Sequence, residues 1–264
     1  MPSAMKSVKF TIALFLFCHL AFSQSNYVPA EIILANGEAK SGWVNNKDWL
    51  KNPSEISFKF ELDGDKTLLQ ANDLKEVKFD NKKYISRSIT YDATPLALDK
   101  LTTSQLGTPV QDTILLEVIF EGEKSLYFLK DQDNKQHFFI AEKDDIIELI
   151  YRKYLTEGEG VEKTMGEINT YKNMLVYYFN DCPSIAQSIQ TMTYTTKHMV
   201  KVFHEYFKCS KTPYEAFSLK EKSSIELYVG GGVIFSKLTF GGSEVAYSHI
   251  NSTDFESQVD FTPS

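Results

Sequence analysis

The residues that could do chemistry in this 264-residue chain lie far apart in the sequence. No two histidines beyond residue 24 have the i, i+4 spacing with which one helix face holds a metal; they are His137, His198, His204 and His249. The acidic neighbours Asp144 and Asp145 lack the glycine and glutamate spacing of a calcium loop. The sequence therefore predicts no metal site, and we interpret the acidic pair as solvated turn residues.

Motifs for nucleotide binding and nucleophilic catalysis are absent from the sequence. A phosphate-binding loop ends in Gly-Lys-Ser or Gly-Lys-Thr because its lysine meets the outer phosphate oxygens, and the glycine run 230–232 has no such lysine. Cys182 has no histidine close by in sequence to activate it. We therefore predict no catalytic residue, no cofactor and no nucleotide partner. An exported enzyme whose site is assembled from scattered residues stays open as an alternative.

The N-terminus has the pattern of a cleavable signal peptide. A short cationic segment begins at Met5, and the apolar run 10–22 is too short for a membrane-spanning helix. Ala21 and Ser23 place small residues before a cleavage point, so we predict a signal peptide at 1–23 and a mature chain from Gln24. A retained anchor is the alternative. Lipidation of Cys18 is disfavoured because the residue directly before it is large.

The two cysteines of the mature chain are predicted to form a disulfide. Cys182 and Cys209 remain as an even pair after removal of the signal peptide, and exported proteins meet an oxidising compartment.

The charge of the chain argues against nucleic-acid binding. With 28 basic and 35 acidic residues, the chain has a formal net charge of −7, whereas phosphate binding needs a concentrated positive surface. We expect no nucleic-acid partner.

The chain pattern predicts an α+β fold. Residues 24–165 read as a β-rich domain of antiparallel sheets, with a meander over 113–141 and a loop or sub-boundary at 93–110. The run 145–155 suits either a helix face or a buried strand, and the glycines after it favour a hairpin. From 166 to 210 the apolar period becomes helical, with one stripe formed by Ile168, Tyr171, Leu175 and Tyr178 and a second by Met199, Val202, Phe203 and Tyr206.

The last part, 211–264, is predicted as a linker followed by one or two terminal strands. From Ile225 to Phe235 apolar residues alternate with polar residues or glycine, which resembles the start of a membrane β-barrel. An ordinary strand that pairs with the front domain is the alternative.

Near the start of the β-rich domain, Trp43 and Trp49 flank a polar segment and could present an aromatic binding surface. Core packing beside a turn is the alternative there, since aromatics chiefly contribute buried mass.

Several short segments together carry a resemblance to a known family. They are 39–44 (AKSGWV), 52–58 (NPSEISF), 124–128 (KSLYF), 181–183 (DCP), 206–209 (YFKC) and the glycine-rich strand around 230–232. In this order, after a signal peptide, they resemble the outer-membrane β-barrel (porin-like) proteins of Bacteroidetes-type bacteria. The likeness covers nearly the whole mature chain.

The resemblance implies a non-enzymatic cell-envelope protein. In that family a β-rich and helical front domain precedes a barrel in the outer membrane, so the implied partner is outer-membrane lipid, contacted through the barrel. The alternating pattern reaches only the first barrel strand or two, and we therefore expect an incomplete gene product. The main alternative is a complete, soluble exported binding module. The transported substrate or ligand is not predicted.

Overall fold

The computed structural model describes residues 26–46, 49, 51–143, 145–156 and 164–217. Antiparallel strands account for most of them. The strands are β1 (Tyr27–Leu34), β2 (Ala39–Asn45), β3 (Glu55–Lys59), β4 (Thr67–Gln70), β5 (Leu74–Phe79), β6 (Lys82–Asp92), β7 (Pro109–Gly122), β8 (Leu126–Lys130), β9 (Gln136–Glu142), β10 (Asp145–Glu148), β11 (Arg152–Leu155), β12 (Met165–Ile168) and β13 (Tyr214–Ala216). The helices are α1 (Thr170–Tyr178), α2 (Ala186–Thr191) and α3 (Thr196–Ser210).

The predicted fold class is confirmed for this part of the chain, because a β-rich region precedes a disulfide-tied helical unit. The predicted signal peptide and the alternating run 225–235 lie outside the described residues. Within the predicted linker, Tyr214–Ala216 form β13, which pairs with β7. One large sheet has the strand order β10-β9-β8-β7-β6-β5-β1-β2-β3-β4, with β13 added to β7. A second, two-stranded sheet pairs β11 with β12. The β1–β2 turn uses Gly37 at φ 90°, in the left-handed region that glycine adopts without strain.

Strands β6 to β10 form a meander that curls until its first and last strands approach each other. At the closing end the Asp92 backbone N–H donates to Glu148 Oε2 at 2.7 Å, which joins β6 to β10. Alternate residues of a strand face opposite sides, and the inner side is filled by an apolar cluster. This inner cluster includes Ile85, Ile89, Leu116, Val118, Leu129, Phe139 and Phe217.

The outer side of the same meander carries the helices. Phe120, Leu126, Phe138 and Ile140 pack in one cluster with the apolar stripes of α1 and α3. Both predicted stripes are buried except at Ile168, where the prediction is wrong because Ile168 belongs to β12. The strand persists to this point because β12 pairs with β11, and Gly166 lies against the Tyr154 ring with no room for a Cβ.

Two further predictions concern segments between strands. Of the segment 93–110, residues 93–108 connect β6 to β7 and the last two residues belong to β7. The two strands pair in one sheet from Tyr84↔Glu117 to Asp92↔Pro109, so the segment does not separate two sheets. The helix alternative for 145–155 is wrong, since β10 and β11 occupy this run and β11 forms the expected hairpin with β12.

The front strands have their own apolar cluster, which includes Ile32, Val44, Phe58 and Val77. Asn52 links this part to the meander. Its buried side chain donates to Leu115 O at 2.8 Å and to Phe128 O at 3.0 Å, and accepts from Lys130 N at 2.8 Å. One amide thus satisfies three backbone groups of β7 and β8.

Candidate functional site

A histidine between two carboxylates forms the centre of a buried ionic cluster. His137 on β9 is fully buried, and its Nδ1 lies 2.6 Å from Glu148 Oε1 on β10. Its Nε2 lies 3.0 Å from Asp131 Oδ2 in the β8–β9 turn. Strand alternation turns His137 and Phe139 into the meander, while Phe138 faces the helices. Both ring nitrogens are therefore engaged by carboxylate oxygens.

Asp92 is the second centre of the cluster and fastens both ends of the loop 93–108. Its Oδ1 accepts from Thr94 N at 3.0 Å, from Thr94 Oγ1 at 2.6 Å and from Thr108 N at 2.9 Å. Its Oδ2 accepts from Arg152 Nε on β11. Because residues 94 and 108 stand at opposite ends of the loop, one carboxylate closes it.

Two cations complete the cluster, which we define as Asp92, Asp131, Lys135, His137, Glu148 and Arg152. Lys135 Nζ donates to Asp92 O and, at 3.0 Å, to Thr94 O. Arg152 Nη1 donates to Gln105 O at 3.4 Å, further along the loop. Each cation therefore contacts the loop 93–108 through a backbone carbonyl.

The electrostatics of the cluster follow from burial and hydrogen bonding. Burial alone would raise the pKa of Asp92, but hydrogen bonds from Thr94, Arg152 and Thr108 outweigh it and hold that pKa well below its usual range. Burial lowers the pKa of Lys135, and attraction to Asp92 and Glu148 partly offsets this. Three carboxylates face one lysine and one arginine.

Two cavities flank the ionic cluster. The smaller, of about 310 Å³, is lined by Pro95, Leu96, Lys100, Lys135, Tyr151 and Tyr194. The larger, of about 930 Å³, lies between β6 and β10, because all of residues 87–92 and 145–148 line it. Its size is within the range of cavities that hold small ligands. The loop 93–108 contributes to the walls of both cavities.

The chemistry available to the cluster is limited by its own hydrogen bonds. Within the described ranges, no buried side-chain nitrogen or oxygen lacks a hydrogen-bond partner. The described histidine, cysteine and acidic side chains form no group of three that could hold a metal ion. The arrangement is suited to fixing a loop beside a cavity.

The predicted disulfide between Cys182 and Cys209 is present, with 6.2 Å between the two Cα atoms. Cys182 is buried at the turn after α1, and Cys209 lies in the last turn of α3. Tyr206 Oη donates to Asp181 Oδ2 at 2.9 Å beside the bridge. Neither sulfur is a free thiol, so the bridge serves to hold the helix ends together.

The two tryptophans have different surroundings in the front strands. Trp49 lies in the front cluster, with ring centroids 4.8 Å from Phe79 and 4.6 Å from Tyr84, and its Nε1 donates to Asn45 O at 2.7 Å. Trp43 is half-buried on β2, opposite Pro29 of β1. For Trp49 the core-packing alternative agrees with these contacts.

The remaining histidines take part in separate contacts. His198 Nδ1 lies 2.6 Å from Thr193 Oγ1 at the start of α3, and His204 Nδ1 lies 3.3 Å from Tyr214 Oη. Neither belongs to the ionic cluster. His249, Asp144 and the glycines at 230–232 lie outside the described residues.

Sequence reasoning missed the ionic cluster, although a local signal was present. His137 directly precedes the apolar run 138–140, and Glu148 interrupts the apolar run 146–150; a polar residue at such a position must find a partner if the strand is buried. The complete cluster was not readable, because Asp92 lies 56 positions before Glu148 and 60 before Arg152.

Comparisons of the chain with protein-family models, with curated proteins and with solved structures give no match. Among the helices that the structure describes, none combines the length and the apolar character needed to cross a membrane.

Proposed function

We propose that this chain is a non-enzymatic protein of the bacterial cell envelope whose described part is the front domain of an outer-membrane β-barrel protein. The Cys182–Cys209 disulfide carries the proposal. Disulfides persist in the periplasm and outside the cell and are rare in the reducing cytosol. Export therefore accounts for the bridge, and it agrees with the signal peptide expected at 1–23.

The segments that resemble the porin-like family support a structural use of their residues. Asn52 begins one segment and joins β7 to β8 through its side-chain amide. Cys182 and Cys209 come from two others and are bonded to each other, with the Asp181–Tyr206 hydrogen bond beside them. These residues stabilise the domain and have no part in a reaction, in line with a family that brings no catalytic residues.

A second candidate, a soluble exported binding module, is favoured by the cavity of about 930 Å³ between β6 and β10. Both candidates are exported proteins, but only the first is attached to the outer membrane. In this reading the described domain alone would account for the activity, and outer-membrane lipid would not be a partner.

Expression of the full chain in a Gram-negative host tests both candidates. We expect a mature N-terminus at Gln24, cysteines that react with a maleimide only after reduction, and an insoluble product that becomes soluble when the chain is cut after Lys222, because one or two strands cannot close a barrel. Recovery in the soluble periplasmic fraction with the same N-terminus would favour the binding module. An unprocessed cytoplasmic protein with free thiols would contradict both. A Cys182→Ser, Cys209→Ser variant is the control for labelling.

A further inference from the structure

Helix α3 has one buried face and one cationic face. Its apolar residues belong to the cluster that the helices share with the sheet. On the opposite face Lys197, Lys201 and Lys208 are exposed, and they stand in one line along the helix because 4 and 11 residues make about one and three turns. Lys211, also exposed, follows directly after the helix. We call Lys197, Lys201, Lys208 and Lys211 the lysine stripe.

The lysine stripe has few acidic partners. Lys201 Nζ lies 3.8 Å from Glu205 Oε1. In the described part of the chain, the other three lysines have no carboxylate oxygen within 4.0 Å. His204 lies on the same face, but burial and, after it, the charge of Lys208 lower its pKa, so it adds no charge at neutral pH. The stripe is therefore cationic, although the whole chain has a net charge of −7.

Helix stability does not account for the lysine stripe. The helix dipole favours cations near the C-terminus and anions near the N-terminus, which explains Lys208 and Lys211. Lys197, however, is the second residue of α3, and the first turn has no acidic residue. Lys197 and Lys201 are four residues apart, a spacing at which like charges repel. This arrangement disfavours the helix and indicates that the stripe serves a contact outside the protein.

We propose that the lysine stripe binds the surface of a bilayer containing anionic phospholipids, with α3 lying along the membrane plane. From Lys197 to Lys208 the stripe is about 17 Å long, at ~1.5 Å per residue. Flexible point charges in a line suit headgroups spread over a plane, whereas arginine is the residue that holds a single anion with fixed geometry. The two cavities beside the ionic cluster have no lining residue from α3, so the stripe belongs to an outer surface.

An exposed tyrosine beside the stripe fits the same partner. Tyr214 is 41% exposed, and its ring stacks on Phe207 with the centroids 4.0 Å apart. Its Oη lies 3.3 Å from Nδ1 of His204, on the lysine face of α3. Tyrosine is enriched where a membrane meets water, because its ring is apolar and its hydroxyl is polar. Tyr214 therefore adds an apolar contact to the attraction between charges.

The negative charge of the rest of the protein does not prevent this contact at physiological salt. Exposed charges further apart than the Debye length, about 8 Å at 0.15 M salt, are largely screened from each other. Only the face that touches the bilayer then contributes to the attraction. Each lysine near an anionic surface strengthens binding roughly fivefold. The inference goes beyond the proposed function, since it concerns the described domain alone and holds with or without a barrel.

Flotation with lipid vesicles tests the proposal, because bound protein floats whereas aggregated protein sinks. The protein is the oxidised chain from Gln24, both in full and cut after Lys222; the described residues belong to one compact unit that ends at Lys220. The vesicles are pure phosphatidylcholine or an equimolar mixture with phosphatidylglycerol. We expect the mixed vesicles, and not the neutral ones, to float the cut chain. Raising the salt to ~1 M, where the Debye length is about 3 Å, should release it.

Lysine variants locate the contact on the protein. The triple change Lys197→Gln, Lys201→Gln, Lys208→Gln should weaken binding to the mixed vesicles roughly 100-fold, since each lysine contributes about fivefold. A control variant with the same net charge should lose less than about threefold, because its changes lie away from α3. It has glutamine in place of three exposed lysines of the front strands and the loop 93–108, which are Lys66, Lys75 and Lys100.

Acetylation of lysine amines, followed by mass spectrometry, gives an independent readout. Mixed vesicles should slow acetylation at the lysine stripe and leave the three control lysines unchanged. Equal weakening in both variants would overturn the proposal, because the attraction would then be general. So would a cut chain that neither kind of vesicle floats or that both float equally, or one that binds only soluble polyphosphate. Flotation of the full chain alone, by neutral and mixed vesicles equally, would support the proposed function and contradict this inference.

Discussion

At the scale of single residues, the buried charges act on the loop 93–108 more than on any solvent-exposed surface. Asp92 closes the two ends of the loop, and Lys135 and Arg152 contact its carbonyls. A buried charge that loses its partner is costly, because the desolvation penalty is then uncompensated. The cluster should therefore dominate the acid sensitivity of this domain.

Asp92→Asn tests this at one carboxylate. The folded-state pKa of Asp92 is lowered, so its contribution is present above the unfolded-state pKa of about 3.9 and is lost as pH falls below it. We expect the variant to lose about 3–5 kcal/mol of unfolding free energy at pH 7, since Arg152 is left without its partner. Urea titrations at several pH values check this. If the difference in unfolding free energy between the variant and the unaltered protein stays constant below pH 4, the lowered pKa of Asp92 is not its cause.

At the scale of elements, the loop 93–108 requires a glycine where it passes the Arg152 guanidinium. A Cβ built on Gly107 would lie 2.4 Å from Arg152 Nη2. That guanidinium is not free to move away without leaving Asp92. The position of the loop and the Asp92–Arg152 ion pair therefore both depend on the absence of a side chain at Gly107.

A double-mutant cycle measures this coupling. Gly107→Ala alone should destabilise the domain by about 1–3 kcal/mol through overpacking against Arg152. In an Arg152→Ala background the same change should cost less than about 0.5 kcal/mol, because the obstructing group is gone. Thermal or urea unfolding of the four proteins gives the coupling energy. Equal costs in both backgrounds would show that the glycine is required for another reason.

The sequence allowed the elements to be predicted better than their arrangement. Alternation identified the meander, and the apolar stripes identified α1 and α3, because both signals are local. The 166–168 segment was misread because the pairing of β12 with β11 overrides a helical pattern. The approach of β6 to β10 and the joining of Asp92 to Glu148 are contacts between residues far apart in sequence, and no local pattern encodes them.

At the scale of the whole molecule, the disulfide ties the helical unit that covers one side of the meander. The bridge spans a sequence separation of 27 residues. Closing a loop of that length restricts the unfolded chain and is worth about 3–4 kcal/mol in the chain-entropy model. The helices pack on Phe120 and Phe138, so loosening them should expose the sheet.

Reduction of the bridge should lower the unfolding free energy by that same amount, about 3–4 kcal/mol. The Cys182→Ala, Cys209→Ala variant should have the same unfolding free energy as the reduced protein to within about 1 kcal/mol, apart from the effect of the smaller side chains. Urea unfolding with and without reductant, followed by tyrosine fluorescence, checks both. An unchanged midpoint on reduction would mean that helix packing alone fixes the unit.

The Asn52 cross-link has a consequence for the chemical ageing of the protein. Asparagine converts to aspartate when the next backbone nitrogen, as an N–H, attacks the side-chain amide and forms a cyclic imide. The residue after Asn52 is Pro53, whose nitrogen bears no hydrogen, so this route is blocked where a new negative charge would face Leu115 O and Phe128 O. By contrast, Asn36 precedes Gly37 in the exposed β1–β2 turn. Slow deamidation should therefore begin in a surface turn and spare the amide that joins the strands.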